Sequence, residues 1–227
     1  MKFSGLLRQT WAGFKLLLVF TVLTGIVYPF AVYAVSRIPG LEGKAEGSIV
    51  TVNGTAVGSS LIGLNPVDPN ANKTITSGGV TYADDQYFHT RPSAEASDFS
   101  VTDKTKLGLG ANDGSASAGS NLAADSDVLD AQIAGRKALL AKRDGVAQDQ
   151  VPADAVTASA SGLDPGISVA YADEQAARVA AVNHLTLAQV QQIIADNTAG
   201  RELGFLGEET VDVQGLNLAV RKAVAGH

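Results

Sequence analysis

The chain has 227 residues, no cysteine and a formal net charge of −6; Lys2, Arg8 and Lys15 are the only charged side chains among the first 35 residues, which leaves −9 for the rest. The lack of cysteine excludes a disulfide framework and any metal site built on thiolates. An acidic remainder argues against nucleic acid and against lying on anionic lipid, while it serves solubility or raises the local concentration of cations.

The first element is Leu16 to Val35, LLLVFTVLTGIVYPFAVYAV, a run without a single charge. At about 1.5 Å per residue it reaches ~30 Å as a helix, the thickness of a bilayer's hydrocarbon core, so it reads as one membrane crossing. Three basic residues precede it, whereas Arg37 and Lys44 follow it among Glu42 and Glu46. That bias favours a cytoplasmic N-terminus at residues 1–15, a linker at 36–46 and an extracytoplasmic domain at 47–227. The alternative is a cleaved secretory signal ending at Val32-Tyr33-Ala34. The length of the run, and Trp11, Tyr28 and Tyr33 at interfacial positions, favour a retained anchor. Thr21 and Gly25 form a small-xxx-small face for packing against a second helix, and Pro29 is expected to kink the span near its outer end.

Pro39 and Gly40 end the helix. Ser48 to Val52, then Asn53-Gly54, then Thr55 to Val57, predict a β-hairpin, because Asn-Gly supplies the positive φ angles of a type I′ turn. From Ser59 to Gly79 the letters are those of an exposed loop, and Asp68 and Asn70 lack the ligand spacing of a calcium site. In Tyr82 to Pro92, YADDQYFHTRP, a buried Tyr87-Phe88 pair at a strand end competes with a site around His89 and Arg91. Ser93 to Ser120 reads as loop. A helix follows from Asn121, with Leu129, Ile133 and Leu140 on one face, Arg136, Lys137, Lys142 and Arg143 weighting its C-terminal end, and Gly145 stopping it.

Val151 to Ser168 suits a half-buried strand or a close-packed connection with a turn at Leu163 to Gly166. Ser168 is a helix cap ahead of Val169, Ala172, Ala176, Val179 and Ala180, and Asn183-His184 closes that helix. Thr186 with Gln189 forms a capping box for the next helix, so the two make an αα-hairpin. Arg201 to Gly207 is a loop, Thr210 to Val213 a short strand, and Leu216 to Val224 a last helix. The fold class is therefore α+β, a single membrane helix followed by a domain with a β-hairpin and a helical C-terminal half. One catalytic constellation is conceivable: Ser159 or Ser161 as nucleophile, His89 or His184 as base and Asp164 as orienter, in a membrane-anchored exterior hydrolase. Gly-x-Ser-x-Gly is absent, and His227, the third histidine, is terminal. Phosphate-binding loops and HExxH patterns are absent too.

Several short motifs stand in a telling order: Gly58-Ser59-Ser60-Leu61-Ile62-Gly63, then Tyr87-Phe88-His89-Thr90-Arg91-Pro92-Ser93-Ala94, then Gly119-Ser120-Asn121-Leu122, then Val151-Pro152-Ala153-Asp154, then Val156 to Pro165, VTASASGLDP. Together with the anchor they resemble, over essentially the whole chain, the C subunit of the bacterial Kdp potassium-transporting ATPase. Three departures stand out. Gly166 replaces the histidine of the family's His-Ile-Ser, Leu64-Asn65-Pro66 replaces a glutamine and an aromatic, and Val211 to Asn217 is a looser version of the usual ending.

The resemblance implies a non-catalytic accessory subunit of an ATP-driven potassium uptake pump in the bacterial inner membrane, needed for assembly and stability, with potassium access at the outer face as a further contribution. Its implied partners are the channel-like potassium-binding A subunit, the P-type ATPase B subunit, the small F subunit and membrane lipid. ATP, magnesium and potassium are handled by those other subunits, so no cofactor or metal is expected on this chain. Tyr87, Phe88, Arg91, Pro92, Asn121, Ser159, Ser161, Asp164 and Pro165 become the motif residues expected to serve subunit contact or fold, and Thr21 and Gly25 the helix-packing pair.

Overall fold

A computed structural model describes residues 3–226 apart from 53, 67–74, 78–79 and 83–85. Asn53 of the hairpin turn, Asp68 and Asn70 of the weighed cation site, Asp84 and Asp85 of the YADDQYFHTRP segment, and the terminal Lys2 and His227 lie outside the described residues. The chain forms two compact units that divide after Ser59.

The first unit is led by α1 (Phe3–Val22), a π-helical turn (Leu23–Val27) and α2 (Tyr28–Ser36), an uninterrupted helical span none of which is buried within the chain's own fold. It starts well before Leu16, since nothing between Phe3 and Lys15 breaks a helix; there Trp11 stacks on Phe14 at 5.6 Å and Lys15 lies over the Trp11 ring at 5.5 Å. Pro29 acts through the backbone just ahead of it. Proline has no N–H to give the carbonyl four residues back, and its ring crowds that carbonyl. The helix widens there, so that the Tyr28 N–H donates to the Leu23 carbonyl, five residues back. Thr24 Oγ1 donates to the Phe20 carbonyl at 2.7 Å, keeping its hydroxyl satisfied in an apolar setting.

The helix stops at Ser36, and the predicted linker contains one helical turn, α3 (Glu42–Ala45), with Arg37 bound to Glu42 at 3.0 Å and Glu46 at 2.9 Å. The hairpin is present as β1 (Ile49–Val52) and β2 (Thr55–Ser59), antiparallel, with Val52 opposite Thr55. Its two-residue loop contains Gly54 at φ +78°, a conformation that glycine adopts without a Cβ penalty. A one-residue slip between Val50 and Thr51 bends the ribbon into a β-bulge.

The second unit opens with a correction. The segment read as loop up to Gly79 contains a strand, β3 (Ile75–Ser77), paired antiparallel with β4 (Val80–Tyr82). Then come α4 (Asp127–Asp144), α5 (Ala153–Val156), β5 (Gly166–Ile167), α6 (Val169–Val182), α7 (Leu187–Asp196), β6 (Thr198–Ala199), β7 (Thr210–Asp212) and α8 (Val213–Ala225). The last three strands form an antiparallel sheet in the order β5-β7-β6. Helix α6 packs on α7 and on α4, and α7 on α8, around a core that includes Phe88, Leu140, Ile167, Tyr171, Val179, Val190, Val211 and Leu216.

The caps follow the sequence. Ser126 and Ser168 accept backbone N–H groups at the starts of α4 and α6, Thr186 and Gln189 form both bonds of a capping box, and α4 ends on Gly145. Helix α4 begins at Asp127 rather than Asn121, because Ser126 is its cap. Arg136 departs from expectation. Instead of a solvated cation near the helix end it is fully buried, donating from Nε to the Leu107 carbonyl at 2.7 Å and from Nη1 to the Val156 carbonyl at 2.8 Å.

Candidate functional site

Gln86 to Ser93 belongs to the second unit and to no helix or strand. From Gln86 to Thr90 its backbone is paired with side chains, one residue after another. Asn183 Nδ2 donates to the Gln86 carbonyl at 2.7 Å, and Arg178 Nη1 to the Tyr87 carbonyl at 2.9 Å. Asn217 on α8 pairs with both backbone groups of Phe88, accepting its N–H at 2.8 Å and donating to its carbonyl at 2.9 Å. Gln175 on α6 does the same for His89, at 2.8 and 3.3 Å. Asn65 accepts the Thr90 N–H at 2.9 Å and the Thr90 hydroxyl at 2.8 Å, while its own Nδ2 donates to the Leu109 and Gly110 carbonyls. A primary amide carries one donor and one acceptor side by side, as a peptide edge does, so the amides of Asn217 and Gln175 stand in for a neighbouring strand. That is why the segment is ordered and buried without belonging to a sheet.

The other large motif docks on the end of this thread. The Ser159 N–H donates to the Pro92 carbonyl at 2.8 Å, and Ser93 Oγ donates to the Gly162 carbonyl at 2.8 Å. Arg91 bridges to Asp164 at 3.3 Å and reaches the Thr157 and Ala158 carbonyls at 3.4 and 3.3 Å. Gly162, at φ +73°, lies so close to neighbouring backbone that a Cβ there would stand 2.8 Å from the Ala118 carbonyl oxygen. The Gly63 N–H donates to the Leu163 carbonyl at 2.8 Å, so Leu61-Ile62-Gly63 joins the same assembly. Asp154 of Val151-Pro152-Ala153-Asp154 accepts both the N–H and the hydroxyl of Ser168, at 2.7 and 2.8 Å, fixing the cap of α6. The segment from Val151 to Ser168 is thus a close-packed connection, with one short helix and one short strand, rather than a long strand.

Phe88 is fully buried and Pro92 and Ser159 are buried, whereas Tyr87 is half-buried, which corrects the expectation of a buried Tyr-Phe pair. The Tyr87 hydroxyl accepts from Arg221 Nε at 2.9 Å, and that guanidinium lies 4.8 Å from the ring centroid. Asp164 also accepts the Gly166 N–H at 3.0 Å in an Asx turn, and the Pro165 carbonyl accepts the Val213 N–H at 3.1 Å. Asn121 stands apart: it is exposed, at φ +50°, and bonds to the nearby Gly119 carbonyl. Thr21 and Gly25 lie on the exposed face of the helical span, with open space where a Cβ on Gly25 would be.

No triad is assembled among the described residues. Ser159 Oγ accepts the N–H groups of Gly162 and Asp164 at 3.1 and 3.3 Å and lies 3.3 Å from Ser161 Oγ, which accepts the Leu163 N–H at 3.1 Å. Neither hydroxyl hydrogen-bonds a histidine there, and Asp164 holds Arg91 and its own turn. The serines shape a loop, as ST turns do.

Sequence reasoning missed a second polar cluster. Asp144 accepts from Arg143 at 2.7 Å and from Arg178 Nε, and Arg143 donates to the Tyr171 hydroxyl at 3.4 Å. Burial pushes the Asp144 carboxyl up, but the two guanidiniums outweigh it and hold the group below the usual carboxylate range. Burial raises the Tyr171 phenol. Glu174 is pushed up to about 7, first by burial and then by the Asp144 charge. Its two oxygens have no hydrogen-bond partner among the described residues, so the neutral carboxyl is less costly there than the charged one. The signal was present: Gln175 and Arg178 sit on α6 among Ala172, Ala176 and Val179, long polar side chains on an otherwise apolar face.

The fold and this site define a class: a chain with one long apolar N-terminal helix and a domain whose motif residues hold its irregular backbone together. The family described as "KdpC: K+-transporting ATPase, c chain" matches residues 10–222, and the chain belongs to it. Among curated relatives, the "Potassium-transporting ATPase KdpC subunit" of Kineococcus radiotolerans is 41% identical over 220 residues, covering 97% of this chain and 96% of its own length. The proteins of the same name from Streptomyces avermitilis and Mycobacterium tuberculosis are 40% and 38% identical, covering 96% and 94% of this chain and 95% and 97% of theirs.

Proposed function

We propose that this chain is the non-catalytic accessory subunit of an ATP-driven potassium uptake pump, and that it serves the assembly and stability of the membrane complex. In this reading residues 16–35 cross the bacterial inner membrane once, with 1–15 in the cytoplasm. Behind the linker at 36–46, residues 47–227 form an extracytoplasmic domain that rests on the channel-like A subunit and contributes to potassium access there. The B subunit hydrolyses ATP, the small F subunit completes the membrane part, and magnesium, ATP and potassium bind to those partners.

One observation carries the reading. Motif residues of YFHTRPSA and VTASASGLDP are engaged by the same fold: Arg91 by Asp164, Phe88 by Asn217, Ser159 by two backbone N–H groups and Pro92 by Ser159. Residues engaged with one another in this way support a body built for contact. The test combines topology with partnership. Because the chain has no cysteine, Ser4→Cys and Asp149→Cys each create a sole thiol at an exposed position. An impermeant thiol reagent applied to intact cells should label position 149 and spare position 4, and the tagged wild-type chain should bring the other pump subunits out of native membranes. Reversed labelling would overturn the orientation, and purification without ATPase subunits would overturn the subunit reading.

A further inference from the structure

The connection from β6 to β7, residues 200–209, is fully exposed, and it is a built element rather than slack chain. Glu202 and Leu206 exchange both backbone hydrogen bonds at 2.9 Å, and two further bonds, Gly204 N–H to Arg201 at 3.0 Å and Phe205 N–H to Glu202 at 3.2 Å, fix the tip inside them. Leu203 at φ +53° and Gly204 at φ +81° turn the tip over. A leucine in the left-handed region costs on the order of 1 kcal/mol, since its Cβ crowds the carbonyl. At that cost the tip turns its largest apolar side chains outward: Leu203 is 81% exposed, Phe205 68% and Leu206 50%. An ordered, strained tip of exposed apolar residues is the form of an anchor awaiting a pocket, because little ordering entropy remains to be lost on docking.

The surrounding charge indicates the occupant. Glu202, Glu208 and Glu209 flank the tip against Arg201 alone, and all four are exposed. Interfacial segments that lie on bacterial lipid pair apolar residues with lysine and arginine, so an acidic collar opposes insertion into an anionic bilayer. A protein cleft with an apolar floor and a basic rim complements both features. Three side chains are too few for a stable interface, which needs on the order of 1,000 Å², but they suffice as one anchor of a subunit also held by its membrane helix, where a second contact is effectively intramolecular. We propose that Leu203, Phe205 and Leu206 are a docking plug that enters an apolar cleft, rimmed by lysine or arginine, on another subunit of the same ATPase; this rests on the subunit reading above.

The test uses the full-length chain assembled in native membranes. A photoreactive benzoylphenylalanine at Phe205 should cross-link to a pump subunit identified by mass spectrometry, and the same group at exposed Asp149 should not. A lipid adduct at Phe205, or no adduct, overturns the proposal. Leu203→Asn with Phe205→Ser keeps a residue type that tolerates the left-handed conformation and removes the apolar plug. Retention of the other subunits should fall about tenfold or more, with the melting temperature of the chain unchanged. Glu208→Lys with Glu209→Lys should weaken retention at low salt and less at high salt, as screening of a basic rim requires. If the wild type retains its partners and both double variants do so equally, the plug is refuted and the subunit reading stands. If the wild type retains none, the subunit reading fails and the plug with it.

Discussion

Gln175→Leu should loosen the hold of α6 on the thread at His89. Gln175 is fully buried, and its amide pairs with both backbone groups of His89 while its Oε1 also accepts Arg178 Nη2 at 2.9 Å. Leucine has nearly the same volume, so no cavity opens and the loss is one of hydrogen bonding. Two buried backbone groups lose their partner at about 1–3 kcal/mol each, and the apolar side chain returns part of that in transfer free energy. The expected net loss is about 2–4 kcal/mol, or roughly 5–15 °C in melting temperature for a chain of this size. The same figure predicts that the His89 amide exchanges its hydrogen ~30- to ~1,000-fold faster, at ~1.4 kcal/mol per decade. Full-length chain in detergent micelles, followed by circular dichroism and hydrogen exchange over residues 86–93, measures both. Gln192→Leu, which removes only an exposed bond to Asp196, is the control and should change neither. If Gln175→Leu melts with the control and His89 stays equally protected, the amide clamp does not hold the thread.

Three further outcomes are expected. Thr21→Leu with Gly25→Leu fills a face that is open within this chain, so the domain should keep its melting temperature while the complex dissociates in mild detergent; an intact complex would reduce the helix to a tether. Gly166→His should be tolerated within about 2 °C, because its φ lies outside the left-handed region and the nearest atoms to a new Cβ, on Asp164 and Thr210, are 3.4 and 3.6 Å away; a much larger drop would mean that glycine is required there. Glu174 is pushed up to about 7 amid Asp144, Arg143, Tyr171 and Asp154, so the unfolded chain releases this proton first and stability declines from about pH 4.5 to about pH 7. Glu174→Gln should remove that decline, giving about 1–2 kcal/mol more stability than wild type at pH 8 after solvent screening of a half-buried group, and no difference below about pH 5; parallel wild-type and variant pH profiles in thermal melts would disprove it.

What was legible in the sequence is what local chemistry dictates. An Asn-Gly pair writes a two-residue hairpin, Thr186 with Gln189 writes a capping box, Ser168 writes a helix start, and an uncharged apolar run writes the span. Each needs only its neighbours. The short strand expected at Thr210 to Val213 is present as β7, whereas β5 and β6, two residues each, carry no periodicity of their own and exist by pairing with β7, whose Val211 is buried with Ile167 in the core. The strand at Ile75–Ser77 lay in a stretch whose Gly, Asn and Ser content read as loop. Arg136 followed a sound rule about helix ends, but the carbonyls of Leu107 in irregular chain and of Val156 at the end of α5 needed a buried donor, and that demand prevailed. Of the motif residues, Arg91 and Asp164 share an ion pair that spacing could not have given, 73 residues apart.

The clamp residues explain why so much irregular chain is ordered. A loop low in apolar side chains buries too little surface to offset its conformational entropy, at about 1–2 kcal/mol per residue for the backbone alone. Here the compensation comes from elsewhere in the chain: Asn65 reaches Thr90 across 25 positions, Gln175 reaches His89 across 86, Arg178 reaches Tyr87 across 91, and Asn217 reaches Phe88 across 129. The bonds from Gln175, Arg178 and Asn217 require α6 and α8 to be in place, so that part of the thread is ordered by the helical half. Arg178 ties the two polar systems together, since it holds Asp144 with Nε and the Tyr87 carbonyl with Nη1, and perturbing the buried ion cluster therefore loosens the thread as well. A body braced in this way fits the accessory role proposed above, because order gained before contact leaves little to be ordered when two surfaces meet.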